Sequence, residues 1–428
     1  MDIAFILGRI PQLAQQEIEA VASTLSLPWT SSILQTAVLR LKLSNSQPVL
    51  RLGEVSSLVQ QDSSIASEIV ALQERLGGTL EIVYLCQVLP ENEVQDYLGR
   101  ELLLLAENYG RKLNFGISVY GKNFLPSHSG LELKDRLRKA GHSVRYLQAQ
   151  EKHQLGSAQV YHNRLALLHS ITKGVEIVLI QEGLQWWVGV TLTVQNIDAY
   201  SERDFQIPFP DSLSGMLPPK LAQNLINLAA REDQEAIIYD PFCGNGRILS
   251  EAWLMGLPAI GSDVETGKVE ASQKNLAWLA ERADFSLPYS VEQLVWQADA
   301  TQKSTLGGPF SKEQLDGHLV IAAEPYLGKP LRQPLALAEK EGWLAELSPI
   351  YLNFLERWSE YQKETWRPVR MILIFPRAKV EKGGEVSLYD TLVDRIKDLG
   401  YSSSILSCYE RPDSLVARDI IQVEYSSQ

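Results

Sequence analysis

The chain has 428 residues, 45% of them hydrophobic and 21% charged, with 40 Lys and Arg against 52 Asp and Glu. At roughly 100–200 residues per domain, that length makes two or three domains, and the composition excludes a disordered, collagenous or coiled-coil chain. The formal net charge of −12 argues against a uniformly basic nucleic-acid binder.

The longest apolar runs, such as Leu102–Ala106 and Met371–Phe375, fall far short of the roughly 18 residues that span a bilayer. No basic segment follows Met1-Asp2, so no signal peptide is expected. Cys86, Cys243 and Cys408 lack CxxC spacing, which argues against a disulfide framework or a zinc knuckle. The expectation is a cytoplasmic, metal-free protein without membrane spans.

In chain order, Ile3–Leu7 is a short apolar run. Pro11 then opens a helical pattern over Gln12–Leu25. Val38–Leu43 alternates as a strand, and Glu68–Leu76 is helical up to Gly77-Gly78. Residues 1–75 read as a small α+β module. Leu80–Gln87 and Asn114–Tyr120 are predicted strands around the helix Glu91–Tyr109. Helix Leu131–Ala140, strand Ser143–Leu147 and helix Ser157–His169 follow. Val175–Ile180 and Trp186–Val194 pair around the turn at Gln181–Gly183. Residues 76–195 read as a second α+β module.

Residues 196–215 are polar and proline-punctuated and read as a linker. Beyond it, Pro218-Pro219 opens the helix Leu221–Ala230. Strands and helices then alternate: Ile237–Tyr239, Gly246–Met255, Ala259–Ser262, Lys268–Ala283, Leu294–Gln297, Leu319–Ala323, Ile350–Lys363 and Met371–Phe375. Pro349 is placed at the start of the penultimate helix. The rhythm predicts an open, mostly parallel sheet with its ligand site at the strand carboxyl ends. Ser402–Tyr409 and Asp419–Tyr425 predict an antiparallel edge hairpin. The fold class is therefore α/β over residues 216–428, preceded by α+β modules.

Charge is unevenly spread. Residues 201–428 carry 23 basic and 33 acidic residues, whereas residues 111–164 carry ten basic and three acidic. Because charges are screened beyond roughly 8 Å at physiological salt, the local window matters more for phosphate contact than the total. Lys122, Lys134, Arg136, Arg138, Lys139 and Arg145 are its phosphate-contact candidates. A solvated helix face is the plainer alternative for each.

The chemistry gathers at successive strand ends. The first ends in Asp240-Pro241-Phe242-Cys243-Gly244-Asn245-Gly246-Arg247. Gly244 and Gly246 permit a tight turn and close backbone approach. The third glycine of a dinucleotide fingerprint is replaced by Leu249. Asp240 suits an amino group or cation better than a pyrophosphate. The next strands end at Asp263, placed for ribose hydroxyls, and at Asp299-Ala300, placed for an adenine amino group. The fourth ends in Ala323-Glu324-Pro325-Tyr326-Leu327-Gly328. A ligand with an amine, a ribose and an adenine but no phosphate is S-adenosylmethionine. At the fourth end, an acid and a carbonyl can accept the hydrogens of an exocyclic base amine, and an aromatic can stack on the base.

The order DPFCGNG, Asp263, Asp299, EPY resembles the class I amino-methyltransferases. With Arg203-Asp204, the GMLPPKLAQ stretch from Gly215 and Ile226–Ala229, it resembles the tRNA (guanine-10-N2)-methyltransferase family. The opening Leu7–Leu13, Phe115–Ser118, Lys134–Leu137, Gly141 and Val144-Arg145 are similar as well. The resemblance implies a ferredoxin-like module over 1–75, a THUMP domain over 76–195 binding the 3′ end of tRNA, and a Rossmann-like methyltransferase over 216–428. It implies that Asp240, Phe242, Gly244, Gly246, Asp263, Asp299 and Ala300 bind the cofactor, and that Glu324, Pro325 and Tyr326 are catalytic.

The family box Asp-Pro-Pro-Tyr-Gly is altered here. Matching on Gly328 puts Glu324 on the acid and Leu327 on the aromatic, with Tyr326 as the stacking candidate; shifting by one puts Ala323 on the acid. A monomer is expected, and the small activator protein used by some family members stays open. So do two other readings: a tRNA-binding protein with a weak methyltransferase domain, and methylation of another RNA or DNA.

Overall fold

The computed structural model describes residues 2–23, 29–43, 50–52, 54–55, 63–109, 112–121, 126–149, 153–168, 174–210, 216–233, 235–283, 285–302, 318–365 and 369–426. The chain forms two compact units, residues 1–199 and 200–428.

The first unit contains β1 (Asp2–Leu7), α1 (Pro11–Ala22), β2 (Trp29–Gln35), β3 (Val38–Leu43), α2 (Ser63–Arg75) and β4 (Thr79–Pro90). It continues with α3 (Glu91–Tyr109), β5 (Leu113–Tyr120), α4 (Pro126–Lys139), β6 (Val144–Leu147), α5 (Ser157–Asn163), β7 (Gly174–Glu182) and β8 (Gln185–Val194). All eight strands among the described residues join one sheet in the order β2-β3-β1-β4-β8-β7-β5-β6. Because β1 pairs with both β3 and β4, residues 1–75 and 76–195 share that sheet.

Alternation along each strand builds two apolar faces. Ile3, Phe5 and Leu7 of β1, with Ile82, Tyr84 and Cys86 of β4, enter the core under the helices. Ala4, Ile6, Val83 and Leu85 enter a smaller core on the opposite face. Two carboxyls are buried in the sheet. Glu176 on β7 accepts from Ser118 Oγ at 2.5 Å and Thr191 Oγ1 at 2.7 Å. Glu81 on β4 lies close enough for burial, then the Glu176 charge, to raise its pKa well above the ordinary carboxylate range.

Two expected boundaries move. The helix predicted over Ser157–His169 stops at Asn163, because Arg164 turns left-handed (φ 56°) and sends Leu165 and Ala166 into a core. The stretch expected as a linker contains α6 (Ile197–Phe205).

The second unit holds α7 (Pro219–Ala230), β9 (Ile237–Asp240), α8 (Arg247–Leu254), β10 (Ala259–Asp263), α9 (Thr266–Arg282), α10 (Val291–Leu294), β11 (Val295–Gln297) and β12 (Leu319–Ala323). Then come α11 (Lys340–Thr365), β13 (Met371–Val380), β14 (Gly384–Ser387), α12 (Leu388–Asp398), β15 (Tyr401–Tyr409) and β16 (Val416–Tyr425). The sheet order is β11-β10-β9-β12-β13-β16-β15, with β14 added to β13. The first five strands are parallel; β16 and β15 run antiparallel, as the hairpin signal predicts. Parallel strands covered on both faces need continuous apolar sequence, and Leu-Val-Ile-Ala-Ala of β12 is buried throughout.

Pro349 lies inside α11 rather than at its start. Buried anchors on both sides of the proline, Trp343, Leu347, Tyr351, Phe354 and Trp358, recur every three or four residues. That packing outweighs the local cost of a mid-helix proline.

In the first unit, the fully buried Glu17 of α1 accepts from the backbone N–H groups of Gly77 and Gly78 at 3.0 and 2.8 Å. A side chain at Gly78 would collide with Ala14, so the turn rests on α1 directly. Glu17→Ala leaves two shielded donors unpaired. It should lower the unfolding free energy of the full chain by about 2–4 kcal/mol. Urea unfolding measures this.

Candidate functional site

The sheet order of the second unit reverses between β9 and β12: the chain steps outward from β9 to β11 on one side and from β12 to β13 on the other. Such a switch point opens a crevice at the strand carboxyl ends. Three of the predicted acids stand around it.

Asp240 closes β9 and is 2% exposed. Its Oδ1 accepts from the Phe242 N–H at 3.0 Å, which folds the chain into the glycine turn. Gly244 (φ 51°) and Gly246 (φ 83°) both take left-handed conformations, and Gly246 caps α8. A Cβ on Gly246 would also strike Ser272 of α9. Phe242 packs edge-on against Phe354 of α11, ring centroids 5.2 Å apart.

Asp263 closes β10. Its Oδ2 accepts from Gly244 N–H at 2.9 Å and its Oδ1 from Glu265 N–H at 3.0 Å. This carboxylate therefore also fixes the glycine turn, a role the spacing to Asp240 does not reveal. Asp299 follows β11, with its Oδ1 bound to the Thr301 N–H and hydroxyl at 2.9 and 2.7 Å. Ala300 beside it is buried.

Glu324 follows β12 directly and is bound by Arg418 of β16. Pro325 is buried. Tyr326 is 42% exposed, and its hydroxyl donates to Glu346 Oε1 at 3.3 Å. Its carbonyl accepts from the buried Tyr351 hydroxyl at 3.3 Å. Gly328 ends the loop at φ 93°, and a Cβ there would lie 2.9 Å from Trp343 Nε1.

Electrostatics ties these strand ends together. Burial pushes the Asp240 carboxyl well above the ordinary range, and the charges of Asp263 and Glu324 push it further; the Phe242 N–H opposes them. Burial likewise raises Asp263. A cluster of shielded carboxylates favours a cationic ligand and disfavours a phosphate. The residues therefore fit a cofactor carrying an ammonium or sulfonium group.

Several residues that shape the site escape sequence reasoning. Asn275, midway along α9, donates to the carbonyls of Asn245 and Phe209 at 2.9 and 3.1 Å and accepts from the Phe209 N–H at 2.9 Å. Asn245 Nδ2 adds a bond to the Phe209 carbonyl at 2.9 Å. Arg203 pairs with the fully buried Glu251 at 3.0 Å. Arg247 donates to the Arg203 carbonyl at 2.9 Å and faces Asp204 at 3.6 Å. The segment around residues 203–209 is thus strapped to the glycine turn and α8. Only the Arg247–Glu251 spacing, i to i+4, hints at this in the sequence.

The predicted RNA contacts belong to the first unit. Arg138 and Lys139 in the last turn of α4, and Arg145 on the edge strand β6, are exposed, while Lys134 is half-buried. Arg136 lies over Gly99 of α3 and faces Asp96 at 3.7 Å, with 45% of its side chain exposed. Lys122 lies outside the described residues. Among the described residues no cluster of three or more His, Cys, Asp or Glu could hold a metal ion, and no helix is long and apolar enough to cross a membrane.

A raised carboxyl pKa adds stability below the ordinary carboxylate pKa, and this is lost as pH rises through the raised value. Asp240→Asn removes that loss. At neutral pH the variant should melt above the parent, by roughly 2–4 °C for each kcal/mol of burial cost relieved, while losing affinity for a cationic ligand. Thermal melts across pH, with and without ligand, check both halves.

Residues 210–306 match the family model for UPF0020, the RMKL-like methyltransferase domain. The tRNA (guanine(10)-N2)-dimethyltransferase of Pyrococcus abyssi is 29% identical over 221 residues, covering 50% of this chain and 63% of that protein. The enzyme of the same name from Methanothermobacter thermautotrophicus is 44% identical over 62 residues, 14% of this chain and 18% of that protein. The chain thus spans less than two thirds of the length of either relative. The crystal structure of TrmN from Thermus thermophilus is similar over 100% of both chains, with a TM-score of 0.51 at 15% identity, a likeness of fold. Residues 210–306, which hold Asp240, Gly244, Gly246, Asp263 and Asp299, thus match an RMKL-like methyltransferase domain, and the chain shares the fold of TrmN.

Proposed function

We propose that this protein is an S-adenosylmethionine-dependent methyltransferase acting on the N2 amine of a guanine in tRNA, at position 10 by analogy with its named relatives. The observation that carries the reading is the shielded acidic cluster Asp240, Asp263 and Glu324 at a topological switch point, in a chain whose matched segment is a methyltransferase domain.

In this reading Asp240 and the turn from Phe242 to Gly246 hold the methionine part of the cofactor. Asp263 holds the ribose, and Asp299 with Ala300 the adenine. The cofactor supplies a methyl group already activated on a sulfonium. The protein's task is then mainly to place the acceptor. A guanine exocyclic amine is a poor nucleophile because its lone pair is delocalised into the ring. Glu324 accepts a hydrogen bond from that amine, turns its lone pair toward the methyl group, and would take up the N–H proton that the amine loses on methylation. Tyr326 stacks on the base, which must leave its helical stack to arrive.

The first unit supplies the tRNA contacts, with residues 1–75 and 76–195 as its ferredoxin-like and THUMP-like parts. Arg138, Lys139 and Arg145 touch phosphate, so binding weakens as salt rises. The protein works in the cytoplasm as a monomer.

The test incubates the full chain with methyl-labelled cofactor and unmodified tRNA transcripts, then identifies the labelled nucleoside. N2-methylguanosine is expected. Glu324→Gln should cut the rate by about 10²–10³-fold, with cofactor affinity within about threefold of the parent. Cofactor binding without any label in tRNA overturns the reading.

A further inference from the structure

Arg418 sits on β16, opposite Pro376 of β13 in the antiparallel register. Its Nε donates to Glu324 Oε1 at 2.5 Å. The two side chains are 10% and 19% exposed, so water screens their attraction weakly. The next residue, the fully buried Asp419, has its own cation: Arg377 of β13 reaches both its oxygens at 3.1 Å from Nε. Ser387 adds a bond at 3.2 Å. Two acids and two arginines thus form two ion pairs, one joining the end of β12 to β16 and the other joining β13 to β16.

The pairing with Glu324 answers two problems of the altered box. Glutamate has one more rotatable bond than aspartate, so an acceptor carboxylate there needs an anchor. Like charge nearby also works against an ionised acid at that place. Asp240 interacts with it from the end of β9 with Asp263 beyond, and the buried, uncharged Tyr351 of α11 lies near it. A carboxyl that takes a proton in such company gives up acceptor capacity. Arginine keeps its charge at any working pH and fixes direction through its planar fork.

We propose that Arg418 is a positioning residue for Glu324: it anchors the longer acid of the EPY box and keeps it ionised as the acceptor for the base amine. This rests on the methylation reading above. An ionised carboxylate has about four lone-pair sites, so an arginine bond and amine hydrogens can share it.

Four variants of the full chain test the pair: Arg418→Gln, Arg418→Lys, Glu324→Gln and the double Glu324→Gln/Arg418→Gln. Arg418→Gln should lower kcat for tRNA methylation by about tenfold or more and move the acidic limb of the kcat profile up by about one pH unit. Its cofactor Kd should stay within about threefold of the parent, and Arg418→Lys should recover part of kcat. In the Glu324→Gln background, Arg418→Gln should cost less than about twofold further. Losses that multiply, or an Arg418→Gln variant with unchanged kcat and pH limb, overturn the proposal.

A parent that methylates no tRNA overturns the functional reading instead. Thermal melts of the same proteins then judge the pair alone. Destabilisations that fail to add support it, and additive ones overturn it.

Discussion

The second unit is organised around one electrostatic constraint. Carboxylates from adjacent strand ends stand in a shielded crevice, and Asp240 among them is 2% exposed. Like charges in such a place raise one another's pKa and cost stability unless something positive offsets them. Glu324 has a resident cation in Arg418. Asp263 has two backbone N–H groups, from Gly244 and Glu265. Asp240 accepts from the backbone N–H of Phe242. The crevice is therefore suited to a cationic ligand beside Asp240, and an ammonium and a sulfonium on one cofactor meet that need together. The same constraint argues against a nicotinamide dinucleotide, whose pyrophosphate would meet Asp240 first.

A second constraint shapes the entrance. The segment around residues 203–209 is sewn to the glycine turn through Asn275, Asn245 and the Arg203–Glu251–Arg247 group. Glu251 is fully buried, and two arginines approach it. Removing either arginine would leave a shielded charge undercompensated, which is why a stretch that reads as a polar linker is ordered as α6 and a strap. The loop from Glu324 to Gly328 is braced from another side, by Tyr351 beneath Tyr326 and by Trp343 against Gly328.

The strand-end acids were legible because parallel α/β sheets put ligands at strand carboxyl ends, so Asp240, Asp263, Asp299 and Glu324 mark themselves by position alone. The mostly parallel sheet and its antiparallel edge hairpin followed from the same rhythm. What stayed hidden depends on distant pairing. Arg418 lies 94 residues from Glu324, and no local pattern links them. Asn275 is one polar residue in an ordinary helix. Pro349 reads as a helix start because the local penalty is visible and the five buried anchors of α11 are not. The glycine over which the Arg136 guanidinium lies belongs to another helix, out of reach of any local pattern. The net charge of −12 proved informative only once divided. The acidic half holds the carboxylate crevice, and the near-neutral half holds the exposed cations of α4 and β6.

The central claim is that Asp240 waits for a positive charge, and proton linkage tests it most directly. Calorimetric titration with S-adenosylmethionine, in buffers of differing ionisation enthalpy and at pH values stepped upward from the ordinary carboxylate range, counts protons exchanged on binding. Where the raised pKa keeps Asp240 protonated, a cation that binds beside it displaces the proton, so net release is predicted in that part of the pH range from the parent, and its loss in Asp240→Asn. Proton uptake, or release that survives in Asp240→Asn, contradicts the account.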